Sequence, residues 1–242
     1  MADLAQLAPL DTAISYNNSA FCVAGLVIEA VTGKTFEQVT KELIFDPLDM
    51  QHTFFFPHDV MTNRFLVGHN IKGDGDERET TVLTPWAIPR ASNAAGGISC
   101  HLKDLFKYAR YYMGNGEPLL KPESLQEMHT VRTQINDYLG GIALAWFMRD
   151  IGGVTTASHT GGTIGQISIL MLIPEHNMAL AMLTNAGNGG SLTTEFRKLV
   201  LKEYLGIEEP DPQPIEASVD QLSQYVGSYA RPFMDVELKL ED

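Results

Sequence analysis

An α+β fold is predicted for this chain of 242 residues: an antiparallel sheet packed by helices in the second half, and a helical lobe in the first. Two apolar runs, 167–173 and 178–183, flank turn residues at 174–177, which is typical of a hairpin covered on both faces. Helical periodicity dominates the first half, most clearly over 102–113. A further helix over 191–205 follows the hairpin and is expected to pack on the sheet.

The helical lobe begins with a strong helix that follows Tyr16-Asn17-Asn18. Asn18 or Ser19 is expected to cap this helix, because short polar side chains bind the free N–H groups of a first turn. Gly33 fits the position just after its last turn. The spacing of apolar residues predicts one inward face, made of Phe21, Ala24, Ile28 and Val31.

In the remainder of the lobe, some segments have a clear helical pattern and others have no recognisable pattern. Thr35 and Gln38 form a capping-box pattern for a second helix. Residues 51–89 are irregular and polar, which is typical of a lid, a site wall or short strands that periodicity does not detect. A tight corner of small residues at 93–98 then precedes the next helix.

A glycine-rich run, His159-Thr160-Gly161-Gly162-Thr163-Ile164-Gly165, leads directly into the hairpin, and strands are predicted upstream of it over 140–147 and 153–158. Because glycine has no Cβ, another molecule can approach the backbone closely here. A polar edge that exposes its backbone on a rigid sheet suits substrate alignment and oxyanion contacts in acyl transfer. A plain hairpin loop with a surface histidine fits the same residues, and these residues alone leave both interpretations open.

Changes in composition predict three segments. Residues 1–206 form the main body, with the helical lobe over about 16–138 and the sheet with its last helix over about 139–206. A linker rich in proline and glutamate covers 207–217. Residues 218–242 are expected to begin a further β module that is cut short, because a lone strand is not stable by itself.

Composition also narrows the classes of function. The formal net charge is −13 and no run of basic residues occurs, which argues against nucleic acid or an anionic membrane surface as a partner. No stretch has the length of a membrane span. Cys22 and Cys100 lack the spacing of metal ligands, and the histidines lack patterns such as His-Glu-x-x-His. Neither a metal nor another cofactor is therefore expected.

Three short motifs resemble, in their order, those of one enzyme family. They are Tyr16-Asn17-Asn18 before a helix, Ala95-Gly96-Gly97-Ile98 before another, and His159-Thr160-Gly161-Gly162 at the hairpin. The set is similar to the serine β-lactamase and penicillin-binding-protein family, and most similar to its class C-like branch, which includes DD-peptidases, D-aminopeptidases and esterases. The resemblance covers about residues 16–205 and implies the β-lactamase/transpeptidase-like form of the α+β fold.

The resemblance implies roles for six residues. Tyr16 resembles the tyrosine that moves the nucleophile's proton, and such a phenol needs nearby positive charge to act as a base at neutral pH. His159 stands where the family has a strand lysine, a replacement typical of its aminopeptidases and esterases that argues against β-lactam hydrolysis. The Gly162 amide would form half of the oxyanion hole, and the implied substrate-binding residues are Asn18, Thr160 and Gly161.

One family motif is absent from the sequence. No Ser-x-x-Lys occurs, and the closest spacing, Ser99 with Lys103, is one residue too long. In the family this motif precedes the tyrosine by several dozen residues, whereas fifteen residues precede Tyr16. We therefore expect a fragment that lacks the nucleophile helix and the first strands of the sheet. An exposed sheet edge would then favour self-association.

The resulting hypothesis is a serine hydrolase that acts through an acyl-enzyme on a small-molecule or peptide substrate, with an amide or ester bond in a peptide, D-amino-acid, β-lactam or ester compound. This fragment alone is expected to be inactive. The alternative is a non-catalytic binding or interaction module derived from the same fold. The sequence does not indicate the compartment, because any export signal would lie upstream.

Overall fold

The structure, a computed structural model, describes residues 8–9, 12–73, 75–114, 116–136, 138–210, 216–230 and 235–241. The chain divides into two compact units, Met1–Glu209 and Pro210–Asp242. The helices of the larger unit are α1 (Asn18–Thr32), α2 (Phe36–Thr40), α3 (Pro57–Val60), α4 (Asn93–Gly96), α5 (Leu102–Met113), α6 (Pro122–His129) and α7 (Gly189–Leu205), and a π-helical turn, Lys41–Phe45, extends α2. Its strands are β1 (Thr53–Phe54), β2 (His69–Lys72), β3 (Glu79–Val82), β4 (Ser99–Cys100), β5 (Thr133–Asn136), β6 (Gly140–Ile142), β7 (Phe147–Ile151), β8 (Val154–Gly162), β9 (Ile167–Ile173) and β10 (Met178–Thr184).

A six-stranded antiparallel sheet, in the order β10-β9-β8-β7-β6-β5, forms the centre of the larger unit. Successive residues of β9 alternate between two buried clusters: Leu170 and Leu172 pack in the cluster of α5, and Ile169 and Met171 pack in that of α7. Helices on both faces therefore explain the uninterrupted apolar run of β9. The predicted α+β fold, an antiparallel sheet packed by helices, is confirmed.

The first four residues of the glycine-rich run, 159–162, are strand, and the last three form a turn. The strand predicted over 153–158 continues to Gly162 as the end of β8. The single strand predicted over 140–147 is wrong, because the chain turns between β6 and β7. In this turn Ala145 has a φ of 64°, and the Ala143 N–H donates to the Trp146 carbonyl at 2.8 Å. Ala143 and Trp146 are both buried, so the hydrophobicity of these residues gave no indication that the chain turns between them.

Helix α1 is capped by Asn17, one residue earlier than predicted. Asn17 has extended backbone angles, and its side-chain oxygen accepts from N–H groups of the first turn, the closer being that of Ser19 at 2.8 Å. Asn18 and Ser19 already lie in the helix, so the prediction that one of them is the cap is wrong. The predicted glycine after the last turn, Gly33 with a φ of 67°, is confirmed, and so is the capping box of α2.

Helix α1 packs through its small residues and leaves its larger apolar side chains exposed. Gly25 is buried, and a Cβ there would lie 2.6 Å from the Ala94 Cβ of α4. The exposed fractions of the outer side chains are 42% for Phe21, 62% for Leu26, 56% for Val27 and 80% for Val31. The predicted inward face with Phe21 and Val31 is therefore wrong. An almost wholly apolar helix has no polar stripe to mark its solvent side.

Residues 51–89, predicted to be irregular, contain short elements. β2 and β3 form an antiparallel hairpin from His69↔Val82 to Lys72↔Glu79, and β1 pairs with β4. Strands of two to four residues are too short to show an alternating pattern, which is why the sequence did not reveal them.

The larger unit continues past α7. Gly206 ends the helix with a φ of 68°, and Ile207 packs into the α7 cluster. Glu209 is buried and ion-paired with Arg149 at 2.6 Å and Arg197 at 2.9 Å. These residues fall in the predicted linker, of which 211–215 lie outside the described residues.

The second unit contains α8 (Val219–Ser223) and a two-stranded sheet of β11 (Gly227–Tyr229) and β12 (Val236–Leu238). A capping box of Ser218 and Gln221 begins α8. That this unit is the start of a longer β module stays a prediction.

Within the described residues, no single helix is both long and apolar enough to cross a membrane. The helices of Asn18–Thr32 and Phe36–Phe45 meet those criteria only when taken together, and they are bent by 82° relative to each other.

Candidate active site at the end of β8

The end of β8, residues 159–162, has a neighbouring strand on one side only. β9 pairs with all four residues, from His159↔Leu170 to Gly162↔Ile167. On the other side, β7 pairs with β8 only as far as Ser158. In the described part of the chain, the backbone groups of 159–162 on that side are therefore free of sheet hydrogen bonds. They form a short open edge on which an extended substrate can align.

The two glycines of this edge differ in their surroundings. A Cβ on Gly161 would overlap the hydroxyl of Ser168 on β9, whereas a Cβ on Gly162 would meet only the end of Ile167, at 3.5 Å. The Ser168 hydroxyl thus occupies the space beside Gly161. Gly162 is exposed, so its backbone is accessible to a ligand.

Tyr16 and His159, the two side chains predicted to carry proton transfer and substrate alignment, lie together although they are far apart in sequence. Their ring centroids are 6.1 Å apart, with an angle of 37° between the planes. Tyr16 is placed by the segment just before α1, and His159 by β8.

Phe147, which sequence reasoning did not select, completes this group. Its ring centroid lies 6.5 Å from that of Tyr16 and 5.6 Å from that of His159. Phe147 is the first residue of β7, and an aromatic residue at the start of a strand carries no signal of a site. We call Tyr16, Phe147 and His159 the aromatic triangle.

The orientation of the His159 ring follows from a contact with the backbone of the next residue, Thr160. Nδ1 lies 2.6 Å from the carbonyl oxygen of Thr160. Because a carbonyl oxygen can only accept, Nδ1 carries the hydrogen, and in the neutral ring Nε2 is left as an acceptor. The ring is therefore held with one nitrogen occupied and the other available.

The predicted substrate-binding side chains are accessible. Thr160 is exposed on β8, and Asn18 is exposed in the first turn of α1. The Asn18 side chain forms no hydrogen bond with another described side chain. The structure thus places Asn18 two residues from Tyr16, with its side chain exposed to solvent.

Close backbone contacts with the segment at Gly68 and His69 hold the turn that follows Gly162 in place. A Cβ on Gly68 would overlap the carbonyl oxygen of Ile164, and a Cβ on Gly165 would lie 2.6 Å from the His69 nitrogen. The His69 N–H donates to the Asn185 carbonyl oxygen at 2.9 Å, and the His69 Nδ1 is 3.0 Å from the same atom. The sequence did not indicate that these residues support the site, because they come close to one another only in the folded chain.

A buried carboxylate, Glu37 of α2, joins two segments that pack on α1. Both oxygens of Glu37 bind Arg90, each at 3.0 Å, and Oε1 also accepts from the Asn93 amide at 2.8 Å. The hydrogen bond from the Arg90 guanidinium is the largest cause that lowers the pKa of Glu37, from 4.5 to about 2. The charged carboxylate therefore ties α2 to the segment that leads into α4.

Two groups that an acyl-transfer site needs are not supplied by the described residues. No described serine hydroxyl contacts Tyr16 or His159, and no described lysine or arginine contacts the Tyr16 ring or hydroxyl. The described residues also contain no group of three or more His, Cys, Asp and Glu side chains that could hold a metal ion.

An antiparallel sheet flanked by helices in this arrangement is the β-lactamase/transpeptidase-like fold. Residues 1–202 match the model of the Beta-lactamase family, and the chain belongs to that family. The resemblance inferred from the three sequence motifs is therefore confirmed.

Two curated relatives are longer than this chain. It is 25% identical over 244 residues to penicillin-binding protein 4 of Amycolatopsis lactamdurans, covering 95% of this chain and 63% of that protein. It is 28% identical over 190 residues to an unguisins hydrolase of Aspergillus campestris, covering 74% of this chain and 34% of that protein. The chain thus spans less than two thirds of either relative.

A solved structure shares the fold. The octameric penicillin-binding protein homologue from Pyrococcus abyssi superposes with a TM-score of 0.72 at 24% identity, covering 84% of this chain and 45% of that chain.

Proposed function

We propose that this chain supplies the proton-transfer and substrate-aligning part of a serine hydrolase that cleaves an amide or ester through an acyl-enzyme. The observation that supports this most is the approach of the Tyr16 and His159 rings, at 6.1 Å, beside the open edge of β8. Membership of the Beta-lactamase family and the resemblance to hydrolases support the type of chemistry.

In this proposal each step uses a group of the open edge or the aromatic triangle. Tyr16 accepts the proton of a serine hydroxyl, whose oxygen attacks the substrate carbonyl. The negative charge that develops on the carbonyl oxygen is stabilised by the N–H of Gly162, a contact worth about 3 kcal/mol in preorganised sites. His159 and Thr160 align the substrate along β8, while Asn18 and Gly161 bind its backbone. The tetrahedral adduct then collapses, the bond between the carbonyl carbon and the leaving group breaks, and Tyr16 gives its proton to the departing amine or alcohol. Water next attacks the carbonyl of the acyl-enzyme ester while Tyr16 accepts a proton from that water. Tyr16 returns this proton to the serine oxygen as the carboxylic acid is released.

The serine itself comes, in this proposal, from a segment outside this sequence. The sequence has no Ser-x-x-Lys, and α1, whose outer face is apolar, begins two residues after Tyr16. Exposed apolar faces of this kind are typical of contact surfaces. A segment packed on α1 would reach the aromatic triangle with one of its ends.

Intact-mass spectrometry with a fluorophosphonate probe tests the proposal. We expect no adduct on this chain alone, and an adduct on the added serine when the chain is co-expressed with a Ser-x-x-Lys segment of a family member. Replacing that serine by alanine should abolish labelling, and Tyr16→Phe should slow it by about 10²-fold or more, because the proton acceptor is lost. An adduct on any serine of this chain contradicts the missing nucleophile.

A non-catalytic binding module is the second candidate. The observation in its favour is that the open edge of β8 is present while no described serine contacts the aromatic triangle. It predicts that the chain binds a peptide or small amide and that the added segment never becomes acylated. The labelling experiment therefore separates the two candidates.

Self-association is also proposed. β10 lies at an edge of the sheet, and an edge strand presents unpaired N–H and C=O groups that favour pairing with another chain. The octameric assembly of the Pyrococcus abyssi homologue supports this proposal.

A further inference from the structure

His69 is the first residue of β2, and both its backbone and its ring bind the loop that follows β10. Its N–H donates to the Asn185 carbonyl oxygen at 2.9 Å, and its carbonyl oxygen accepts from the Gly187 N–H at 2.9 Å. Its Nδ1 lies 3.0 Å from the Asn185 carbonyl oxygen, and Nδ1 carries the hydrogen because that oxygen can only accept. The Asn185 side-chain nitrogen, 3.3 Å from Nδ1, has an acceptor of its own in the Val67 carbonyl oxygen at 3.2 Å.

The same histidine touches the turn that follows Gly162. A Cβ on Gly165 would lie 2.6 Å from the His69 nitrogen and 2.9 Å from the His69 carbonyl oxygen, so the two backbones are in contact. Across the turn, the Thr163 N–H donates to the Gln166 carbonyl oxygen at 2.9 Å. Thr163 directly follows Gly162, so a displacement of His69 would move the turn and with it the end of β8.

The loop after β10 is joined to Gly162 from the other side. Gly162 pairs with Ile167 on β9, and Ile167 pairs with Thr184, the last residue of β10. The Thr184 hydroxyl also donates to the Ile167 carbonyl oxygen at 3.1 Å. Asn185 directly follows Thr184. His69 therefore bridges the two segments that flank Gly162, namely the turn after it and the loop beside its strand partner.

We propose that His69 is a positioning residue for the oxyanion contact: its Nδ1 hydrogen bond to Asn185 keeps the turn after Gly162 in one place and so fixes the direction of the Gly162 N–H. This inference rests on the proposed function, which assigns the oxyanion role to that N–H. An oxyanion donor stabilises charge best when it is preorganised, and such a group has to be held within about 0.5 Å and 10–20° of its productive position.

The ring of His69 is the part of this residue that the position requires. The two backbone bonds of residue 69 are open to any residue with an N–H. In the described chain, β2 meets the loop after β10 at one isolated bridge, His69↔Ala186, and not along a ladder. A single bridge has no neighbouring strand bonds to support it, so the Nδ1 bond provides the additional attachment.

Hydrogen exchange of the chain as it exists tests the hold on the turn. His69→Asn keeps a donor at the place of Nδ1, whereas His69→Leu has nearly the shape of asparagine without a donor, and His69→Ala is a second variant without one. In the two variants without a donor, the Thr163 N–H should exchange about fivefold faster, because a hydrogen bond that keeps the turn closed is lost. His69→Asn should keep the original rate. His176→Ala is the control, since His176 is exposed at the opposite end of β9 and β10, and it should have no effect.

The chemical consequence is measured with the added Ser-x-x-Lys segment and the fluorophosphonate probe. His69→Leu should lower the maximal rate of labelling by about tenfold and leave the half-saturating probe concentration within about twofold, because the lost alignment acts on the transition state. His69→Asn should recover most of the rate. A merely structural role of His69 would not separate the rate from the binding of the probe.

The outcomes separate the positioning role from the hydrolase. Equal Thr163 exchange in His69→Asn and His69→Leu, or equal maximal rates of labelling, overturns the positioning role even when the added serine is labelled. If the unmodified chain with the added segment is never labelled, the hydrolase is contradicted and the exchange comparison alone decides. Faster exchange in His69→Leu then supports the hold of His69 on the turn, and equal exchange overturns it.

Discussion

Gly161 and Gly162 are neighbours in β8, yet only one of them has no space for a side chain. Ser168 of β9 occupies the position that a Cβ of Gly161 would take, while the space beside Gly162 is open. One glycine is therefore explained by packing, and the other keeps a backbone N–H accessible. Within this Gly-Gly pair, one residue thus serves packing and the other serves access to the backbone.

Alanine substitutions distinguish these purposes. Gly161→Ala should lower the free energy of unfolding by about 1 kcal/mol, because the Ser168 hydroxyl has to turn away from the added methyl group. Gly162→Ala should change it by less than about 0.5 kcal/mol. Ser168→Ala in the Gly161→Ala background should recover most of the loss, because the overlapping hydroxyl is removed. Urea denaturation measures all three, and equal effects of the two glycine substitutions would contradict the packing explanation.

Glu37 determines how the stability of the helical lobe depends on pH. Its pKa in the folded protein, about 2, lies below the unfolded value of 4.5 because Arg90 stabilises the charged form. A lowered folded-state pKa contributes stability that is complete above about pH 4.5 and is lost as the pH falls towards 2.

Glu37→Gln should therefore cost about 2 kcal/mol of unfolding free energy at pH 7 and clearly less at pH 3. Glu127→Gln is the control, since Glu127 pairs with Arg132 at an exposed position, and its cost should be below about 0.5 kcal/mol. Thermal unfolding at the two pH values provides the comparison. A pH-independent cost of Glu37→Gln would show that the buried charge is not its cause.

At the scale of elements, the sequence predicted those whose pattern is long and regular. β9 and β10 are continuous apolar runs because helices cover both faces, and the capping box of α2 follows from two side chains alone. The division of 140–147 into β6 and β7 depends on the positive φ of Ala145. The sequence did not indicate this turn, because alanine is not a residue typical of positive φ. Elements of two to four residues gave no periodic signal.

Among the elements, the largest difference between prediction and structure is the face of α1 that points to solvent, and this difference can be tested. Val31 is 80% exposed, so Val31→Lys should leave the free energy of unfolding within about 0.5 kcal/mol of the original. Leu201 of α7 is fully buried, and Leu201→Ala should cost about 2–5 kcal/mol. Chemical denaturation measures both variants. A large loss for Val31→Lys would mean that the outer face of α1 is covered within the chain.

For the whole molecule, the candidate site depends on long-range proximity. The order of three motifs was sufficient to predict the family and to select Tyr16 and His159, which the fold brings together. Phe147, His69 and Asn185 could not be predicted, because strand pairing and turn contacts bring them to the site from distant positions. The motifs indicate the candidate groups of the site, and contacts formed on folding determine which other residues hold them in place.

The open edge of the sheet leads to a prediction for the whole molecule. Leu183→Lys places a charge on β10, the edge strand, and should reduce self-association of the chain measured by light scattering. Val31→Lys removes an apolar contact from α1 and serves as the comparison. An equal or greater effect of Val31→Lys would assign the association to α1 rather than to the sheet edge.

The proximity of the Tyr16 and His159 rings in solution is the most direct test of the site. Their centroid separation of 6.1 Å places ring protons close enough for a nuclear Overhauser effect between them. We expect cross-peaks between the two rings in the isolated chain, and their loss in Tyr16→Ala. Well-resolved signals of both rings without any cross-peak would contradict the site on which the proposed function depends.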